Sequence, residues 1–248
     1  NEIVEKAGVT KEDTVLEIGC GAGALTSVLS DNAKRVVGFE IDQKLKPVLS
    51  EVLSGKDNVE IIYKDVLKVD LRELEKDLGD GYILVANLPY YITTPIIMTF
   101  LEKAKKVRAL VVMVQEEVAY RLSAKAGSSD YGAITVSVNF SGSAKIIKKV
   151  PREMFTPAPN VDSAVVKIDI EKGKFLGVDY SSFRDAVKCG FGNRRKMLVN
   201  NLMNTYKLPR QTAEEILSNC GISLTARGEV LTTEDYINLS QKLLEKNK

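Results

Sequence analysis

The chain contains no histidine. That removes Ser-His-Asp triads, imidazole acid-base catalysis and histidine metal sites from consideration. Cysteine is scarce: Cys20, Cys189 and Cys220 are far apart and odd in number, so they form neither a zinc knuckle nor a disulfide framework. A reducing cytoplasm is the simplest home for such a chain. No apolar run approaches the roughly 18 residues that a membrane helix requires, and no secretory leader pattern opens the sequence. Net charge is nearly missing too, at +2 from 35 basic and 33 acidic residues. That balance hides an asymmetry. Residues 1–144 hold 17 basic and 21 acidic residues, whereas residues 145–248 hold 18 and 12. A second half that favours polyanions fits this pattern; chance and solvated helix faces fit it as well.

What is present is ordinary globular composition: 248 residues, 44% hydrophobic and 27% charged, enough for a real core and one or two domains. The first part alternates strand and helix signals. Apolar runs at 14–18, 35–39, 59–63, 82–86 and 109–114 suit strands buried on both faces. Helical patterns over 24–32 and 43–53 lie between them, which implies βαβ units and a parallel sheet. Segments 133–139 and 164–170 read as two further strands separated by Pro151, Pro157 and Pro159, so the parallel core is expected to close with an antiparallel pair. Beyond residue 174 the signals are helical: 181–190, 194–206, 209–220 and 233–245, the last behind a Thr cap with Glu234 and Asp235 in its first turn. The expected division is an α/β domain over 1–173 and an all-helical domain over 174–248.

The first strand runs into Glu17-Ile-Gly-Cys-Gly-Ala-Gly23 and then a helix. The spacing is G-x-G-x-G, not the G-x-G-x-x-G dinucleotide fingerprint. Gly19, Gly21 and Gly23 let the backbone approach a ligand, and a carboxylate at Glu17 suits an amino group and repels a pyrophosphate. The loop therefore tilts toward S-adenosylmethionine; alone, it also fits a tight turn with no ligand. The second strand ends at Glu40-Ile41, where doubly wound folds place the carboxylate that grips ribose hydroxyls. The third ends at Asp65-Val66, which can offer a carboxylate and a backbone N–H to an adenine edge. Three acidic residues at three strand ends line one crevice.

Asn87-Leu88-Pro89-Tyr90 ends the fourth strand and carries the most chemistry. Adenine N6 is a poor nucleophile because its lone pair is delocalised into the ring. The Asn87 oxygen can accept one N6 hydrogen, and a carbonyl of the Leu88-Pro89 segment the other. Pro89 removes a competing donor. Tyr90 offers a stacking face worth roughly 1–3 kcal/mol. A sulfonium methyl is already electrophilic, so neither metal nor histidine is required and positioning does most of the work. Phe155, ahead of a Pro-stiffened loop, can close the other face of an extruded base or can simply anchor the loop. Lys145, Lys148, Lys149 and Arg152 flank it. Lys188, Arg194, Arg195 and Lys196 form a second basic group, with Arg195 and Lys196 expected on a helix. Both groups suit RNA phosphates; a solvated helix start explains the second one equally.

These motifs, with Phe155-Thr-Pro-Ala-Pro159, Val161-Asp-Ser163, Phe191-Gly-Asn-Arg-Arg-Lys-Met-Leu198 and Leu224-Thr-Ala-Arg-Gly-Glu229, make the chain resemble the rRNA adenine N6,N6-dimethyltransferase family, in its KsgA (RsmA) branch, over nearly its whole length. The resemblance implies a Rossmann-like S-adenosylmethionine-dependent methyltransferase fold: a mostly parallel seven-stranded sheet with an antiparallel last strand, followed by a small helical domain that binds rRNA. It implies that Glu17, Gly19, Gly21 and Gly23 bracket the methionine part of the cofactor, that Glu40 holds its ribose, that Asp65 with Val66 holds its adenine, and that Ile41 and Asn87 also bind the cofactor. Asn87, Leu88, Pro89, Tyr90 and Phe155 would hold the target base, with S-adenosylhomocysteine as the by-product. The implied substrate is two adjacent adenines in the 3′-terminal hairpin of small-subunit rRNA, within a late pre-30S particle in the cytoplasm. A monomer is expected, with no metal and no membrane.

The family also carries, ahead of the glycine loop, a basic segment with a Gly-Gln-Asn/His-Phe-Leu motif that covers the cofactor. This sequence begins past it, which leaves the chain as given expected to bind cofactor weakly. Three alternatives stand beside the leading one. An Erm-like methylase acting on large-subunit rRNA shares the first motifs but is expected to resemble the helical half much less. DNA adenine methylases usually begin the tetrapeptide with Asp. A ribosome-assembly factor that has lost catalysis fits the basic second half.

Overall fold

The computed structural model describes residues 2–171 and 173–246. The chain resolves into two compact units. One runs up to Ala119 and resumes at Ser143–Glu171; the other comprises Tyr120–Gly142 and the chain after Glu171.

Helix α1 (Glu2–Ala7) precedes β1 (Thr14–Ile18), α2 (Ala24–Asn32), β2 (Arg35–Phe39), α3 (Lys46–Val52), β3 (Val59–Ile62), α4 (Leu71–Leu78), β4 (Tyr82–Asn87), α5 (Tyr90–Lys103) and β5 (Val107–Gln115). Helices α6 (Glu116–Leu122) and α7 (Ala133–Ser141) follow, then β6 (Gly142–Val150) and β7 (Ser163–Ile170). The sheet order is β3-β2-β1-β4-β5-β7-β6. The first five strands pair in parallel, while β7 runs antiparallel to β5, with Ser163 opposite Gln115 and Asp169 opposite Ala109. The runs that form β1, β2, β4 and β5 are buried along most of their length, as a sheet covered on both faces requires, while β3 at the sheet edge is only half-buried. The strand order reverses between β1 and β4, so the crevice beyond their carboxyl ends is the expected ligand position.

Glu75 on α4 is a buried carboxylate that ties three elements together. It accepts from the Tyr82 hydroxyl at 3.1 Å and from the Lys105 and Lys106 N–H groups at 2.8–3.0 Å. Glu75→Ala leaves the buried Tyr82 hydroxyl without its acceptor, frees the Lys105 and Lys106 N–H groups, and is expected to cost roughly 2–4 kcal/mol in urea unfolding; a loss under about 1 kcal/mol would show that water replaces the carboxylate.

The second unit contains α6 from Tyr120 on, α7, α8 (Tyr180–Gly192), α9 (Leu198–Tyr206), α10 (Arg210–Asn219) and α11 (Thr233–Lys246). Its core gathers Tyr131, Val136, Phe183, Leu198, Leu202 and Tyr236. Thr232 and Asp235 bond reciprocally at the start of α11, with the Thr232 hydroxyl accepting from Asp235 N–H and the Asp235 carboxylate accepting from Thr232 N–H.

Three expectations are corrected here. Segment 133–139 is helix, not strand. Its alternating β-branched residues mimic a period of two, but Val136 and Phe140, four apart, face the helical core, and Phe140 stacks on Phe183 with centroids 4.3 Å apart. Tertiary packing overrides propensity. The sixth strand is instead Gly142–Val150, whose lysines suit the edge position it occupies. The helix expected from Arg194 begins only at Leu198, and Arg194, Arg195 and Lys196 lie in a turn. The Asn201 amide donates to the carbonyls of Gly190 and Asn193, closing α8, and Leu198 N–H donates to Ala226 O at 2.8 Å. Finally, the single cut at 174 misses that 120–142 belongs with the helices.

Candidate active site

The carboxyl ends of β1 to β4 surround a cavity of about 350 Å³. Of the residues predicted to hold cofactor or target base, Gly19, Gly21, Glu40, Ile41, Asp65, Val66, Asn87, Leu88 and Pro89 line it. Lys64, Tyr91 and Ile92 also form its wall and were not singled out from the sequence, because nothing in their spacing distinguishes them from ordinary loop and helix residues.

Gly19 has φ +81° and donates its N–H to Phe39 O at 2.8 Å. A Cβ there would sit 2.5 Å from Leu88 Cδ2. The glycine loop and the Asn87–Tyr90 turn are thus in direct contact; a larger residue at 19 would have to displace the Leu88 side chain and hold a φ that L residues rarely adopt. Gly21, at φ +55°, donates its N–H to Glu40 Oε2 at 2.9 Å. Glu40 Oε1 accepts from Ile41 and Asp42 N–H, each at 2.8 Å. A carboxylate offers about four acceptor positions, so one on Oε2 is left for a ligand hydroxyl. Asp65 caps the short turn Val66–Lys68, accepting from Leu67 N–H at 3.0 Å.

Glu17 and Gly23 are not walls of the cavity. Gly23 instead ends the loop at the start of α2, against Leu49 and Val52. Glu17 is fully buried, and neither carboxylate oxygen meets a partner in hydrogen-bond geometry among the described residues. Burial pushes its carboxyl up from 4.5 to about 7; the nearby Thr26 hydroxyl and Cys20 thiol pull it partway back, and Glu40 adds repulsion. Below pH 4.5 the group is protonated in both folded and unfolded chain. Between 4.5 and 7 the unfolded chain releases a proton that the folded chain keeps, so the fold loses stability as pH rises; above 7 the penalty is constant at about 3 kcal/mol. Glu17→Gln is therefore expected to raise Tm by about 5–10 °C at pH 8 and to leave it unchanged near pH 4.5. Identical melting of both chains at pH 8 would sink this.

Asn87 is exposed at the end of β4, and its side-chain amide has no partner among the described residues. The Pro89 carbonyl is taken: it accepts from Ile92 N–H at 3.1 Å and from the Thr93 hydroxyl at 3.2 Å. Leu88 O accepts nothing among the described residues, so the second acceptor of the turn is Leu88 O. Tyr90 turns away from this cavity and shares a 2.8 Å hydrogen bond with Ser163 Oγ at the start of β7. Phe155 is half-buried against the apolar cluster that includes Val150 and Val165.

The two basic groups differ. Lys145, Lys148 and Lys149 pair with Asp169, Glu2 and Glu116, and Arg152 with Glu153. In the helical unit Arg194 is tied to Glu229 at 3.5 Å and to Tyr131 O at 3.1 Å. Lys188, Arg195 and Lys196 are exposed and carry no ion pair among the described residues. No described helix is long and apolar enough to cross a membrane.

Comparison with known proteins agrees with this geometry. The ribosomal RNA small subunit methyltransferase A of Bacillus licheniformis is 44% identical over 99% of this chain and 86% of its own length. That of Clostridioides difficile is 44% identical over 97% and 84%. Among solved structures, a dimethyladenosine transferase from Plasmodium falciparum superposes with a TM-score of 0.83 at 25% identity, covering 99% of this chain and 95% of that one. The 23S rRNA methyltransferase ErmE superposes with 0.71 at 28% identity, covering 97% and 95%. That coverage takes in the helical unit, at a lower overall score than the dimethyladenosine transferase gives. The match to the family described as Ribosomal RNA adenine dimethylase spans residues 1–245, and the chain belongs to that family.

Proposed function

We propose that this chain is an S-adenosylmethionine-dependent rRNA methyltransferase that dimethylates N6 of two adjacent adenines in the 3′-terminal hairpin of small-subunit rRNA. The observation that carries this reading is the Asn87–Tyr90 turn. It lines the cavity with Asn87, Leu88 and Pro89, while Tyr90 faces the start of β7.

The cavity suits the cofactor that the family implies. The positive φ of Gly19 and its close approach to Leu88 favour glycine there, and Glu40 keeps one acceptor position for a ribose hydroxyl. When bound, S-adenosylmethionine supplies a methyl group on a positively charged sulfur. The chain's own residues then orient the nucleophile. Asn87 Oδ1 and Leu88 O accept the two N6 hydrogens and favour a lone pair directed out of the base plane. Tyr90 and Phe155 hold the extruded ring by stacking. The displaced N6 proton passes to water.

The small-subunit assignment rests on identity above 40% to relatives named for that subunit. Exposed Lys188, Arg195 and Lys196 support RNA phosphate contacts by the helical unit, more than the paired lysines of β6 do. The reading extends to a monomer acting in the cytoplasm on a late pre-30S particle. The likeness to ErmE favours a second reading, in which the large-subunit rRNA is the target.

The test uses this chain, labelled S-adenosylmethionine, and small and large subunits from a strain lacking adenine dimethylation, followed by nucleoside mass spectrometry. N6,N6-dimethyladenosine in small-subunit RNA alone is the expected result. Product confined to large subunits would favour the second reading, and no product in either would overturn both.

A further inference from the structure

Ser163 opens β7 and is fully buried. It stands where two aromatic side chains of the proposed base slot are anchored. Its Oγ shares the 2.8 Å hydrogen bond with the Tyr90 hydroxyl. The residue before it, Asp162, accepts Arg152 N–H on its carboxylate at 3.0 Å and Glu116 N–H on its carbonyl at 3.0 Å. Arg152 begins the short turn that closes with Phe155 N–H on Arg152 O at 3.1 Å, and its guanidinium donates to Asn160 O at 3.3 Å. The first residue of one strand therefore holds Tyr90, and its neighbour holds the loop that carries Phe155. The antiparallel register of β7 on β5, from Ser163 opposite Gln115 onward, ties this anchor into the sheet.

Tyr90 is the first residue of α5, directly after Pro89. At a helix start the preceding turn is absent, so the rotamer restriction that a helix imposes on an interior aromatic is relaxed. Nothing in the local sequence of the turn fixes the ring. The hydroxyl at the far end of the ring is the only group that can tether it without covering its face, and Ser163 meets that hydroxyl.

We propose that Ser163 is a positioning residue for methyl transfer: it fixes the Tyr90 ring at the angle that presents a stacked adenine's N6 to Asn87. This rests on the methyltransferase reading above. Misplacement of a reacting atom by less than an ångström slows a reaction without weakening binding much. The second methylation, on a bulkier and less symmetric amine, is more sensitive to that placement than the first.

Ser163→Ala, Tyr90→Phe and the double variant test it, since each single change removes one end of the same hydrogen bond. Turnover on small subunits is expected to fall about tenfold in Ser163→Ala. The monomethyl share of the product should rise. The KM for subunits and the Kd for S-adenosylmethionine should stay within about twofold, and the double variant should be no worse than Tyr90→Phe by more than about twofold. Wild-type turnover in Ser163→Ala, losses that multiply in the double variant, or a loss matched by weakened cofactor binding would each overturn the inference. If Ser163→Ala does not fold, Tyr90→Phe reads the same bond from its half-buried end, and an unchanged product ratio there overturns it. A parent chain that makes no methyladenosine would instead overturn the reading of function, and the inference with it.

Discussion

Asn87→Ala is expected to lower the rate of methyl transfer about 10²–10³-fold, the scale found when one preorganised polar contact to a reacting group is removed. Among the described residues the turn offers two acceptors without a partner, Asn87 Oδ1 and Leu88 O, while Pro89 O is committed to Ile92 and Thr93. Losing one leaves an N6 hydrogen unheld and the lone pair in the ring. Asn87 also lines the cofactor cavity, so cofactor affinity should weaken, but by about fivefold at most, the value of one ordinary hydrogen bond. Asn87→Asp keeps an acceptor and should lose less. The readout is single-turnover product formation at saturating S-adenosylmethionine. A rate within tenfold of the parent would show that this turn is not the reacting centre. Binding of the Asn87→Ala chain to small subunits, measured alongside, separates an assembly role from catalysis: intact binding with abolished methylation is the signature of two separable functions.

Glu40→Ala acts on the other side of the same cavity and should show the opposite pattern. The carboxylate holds three backbone N–H groups at 2.8–2.9 Å, one from the glycine loop and two from the turn after β2. Its removal deletes the proposed ribose anchor and frees Gly21 from its fixed position. Hydrogen bonds to a charged group contribute about 1.5–3 kcal/mol each, so the cofactor Kd is expected to rise about 100-fold, while turnover at saturation changes far less. Glu40→Gln should be nearly as weak, since an amide nitrogen faces N–H donors. Calorimetric titration with S-adenosylhomocysteine decides the point. A Kd within threefold of the parent would place the ribose elsewhere.

Much of this site could be read before any fold was known. The strands β1 to β5 are nearly continuous apolar runs, and each motif sits at a strand's carboxyl end, where topology alone makes neighbours of residues up to 68 positions apart. Glycine spacing and acidic strand ends therefore located the cavity. What stayed hidden depends on burial and on partners distant in sequence. Glu17 looks like a ligand carboxylate but lies beneath the loop, and only the packing around it shows that. Val136 and its β-branched neighbours look like a strand until Phe183 is placed against Phe140. The lysines of β6 form a basic run along the sequence, and only the fold shows that each lies beside a carboxylate. The bond between Tyr90 and Ser163 joins residues in different motifs and leaves no local signal at all.

The chain passes from one compact unit to the other three times, after Ala119, after Gly142 and after Glu171. The helical unit is therefore not a cassette. A truncation or a swap made at a single junction near residue 174 strips Tyr131 and Val136 from the core built by Phe183, Leu198 and Tyr236. During synthesis the segment 120–142 leaves the ribosome well before the helices that complete its core, and its apolar face waits uncovered through the whole of β6 and β7. Transferring the helical unit between relatives thus requires moving both pieces together, and mutations in 120–142 should score with the helical half in any complementation assay.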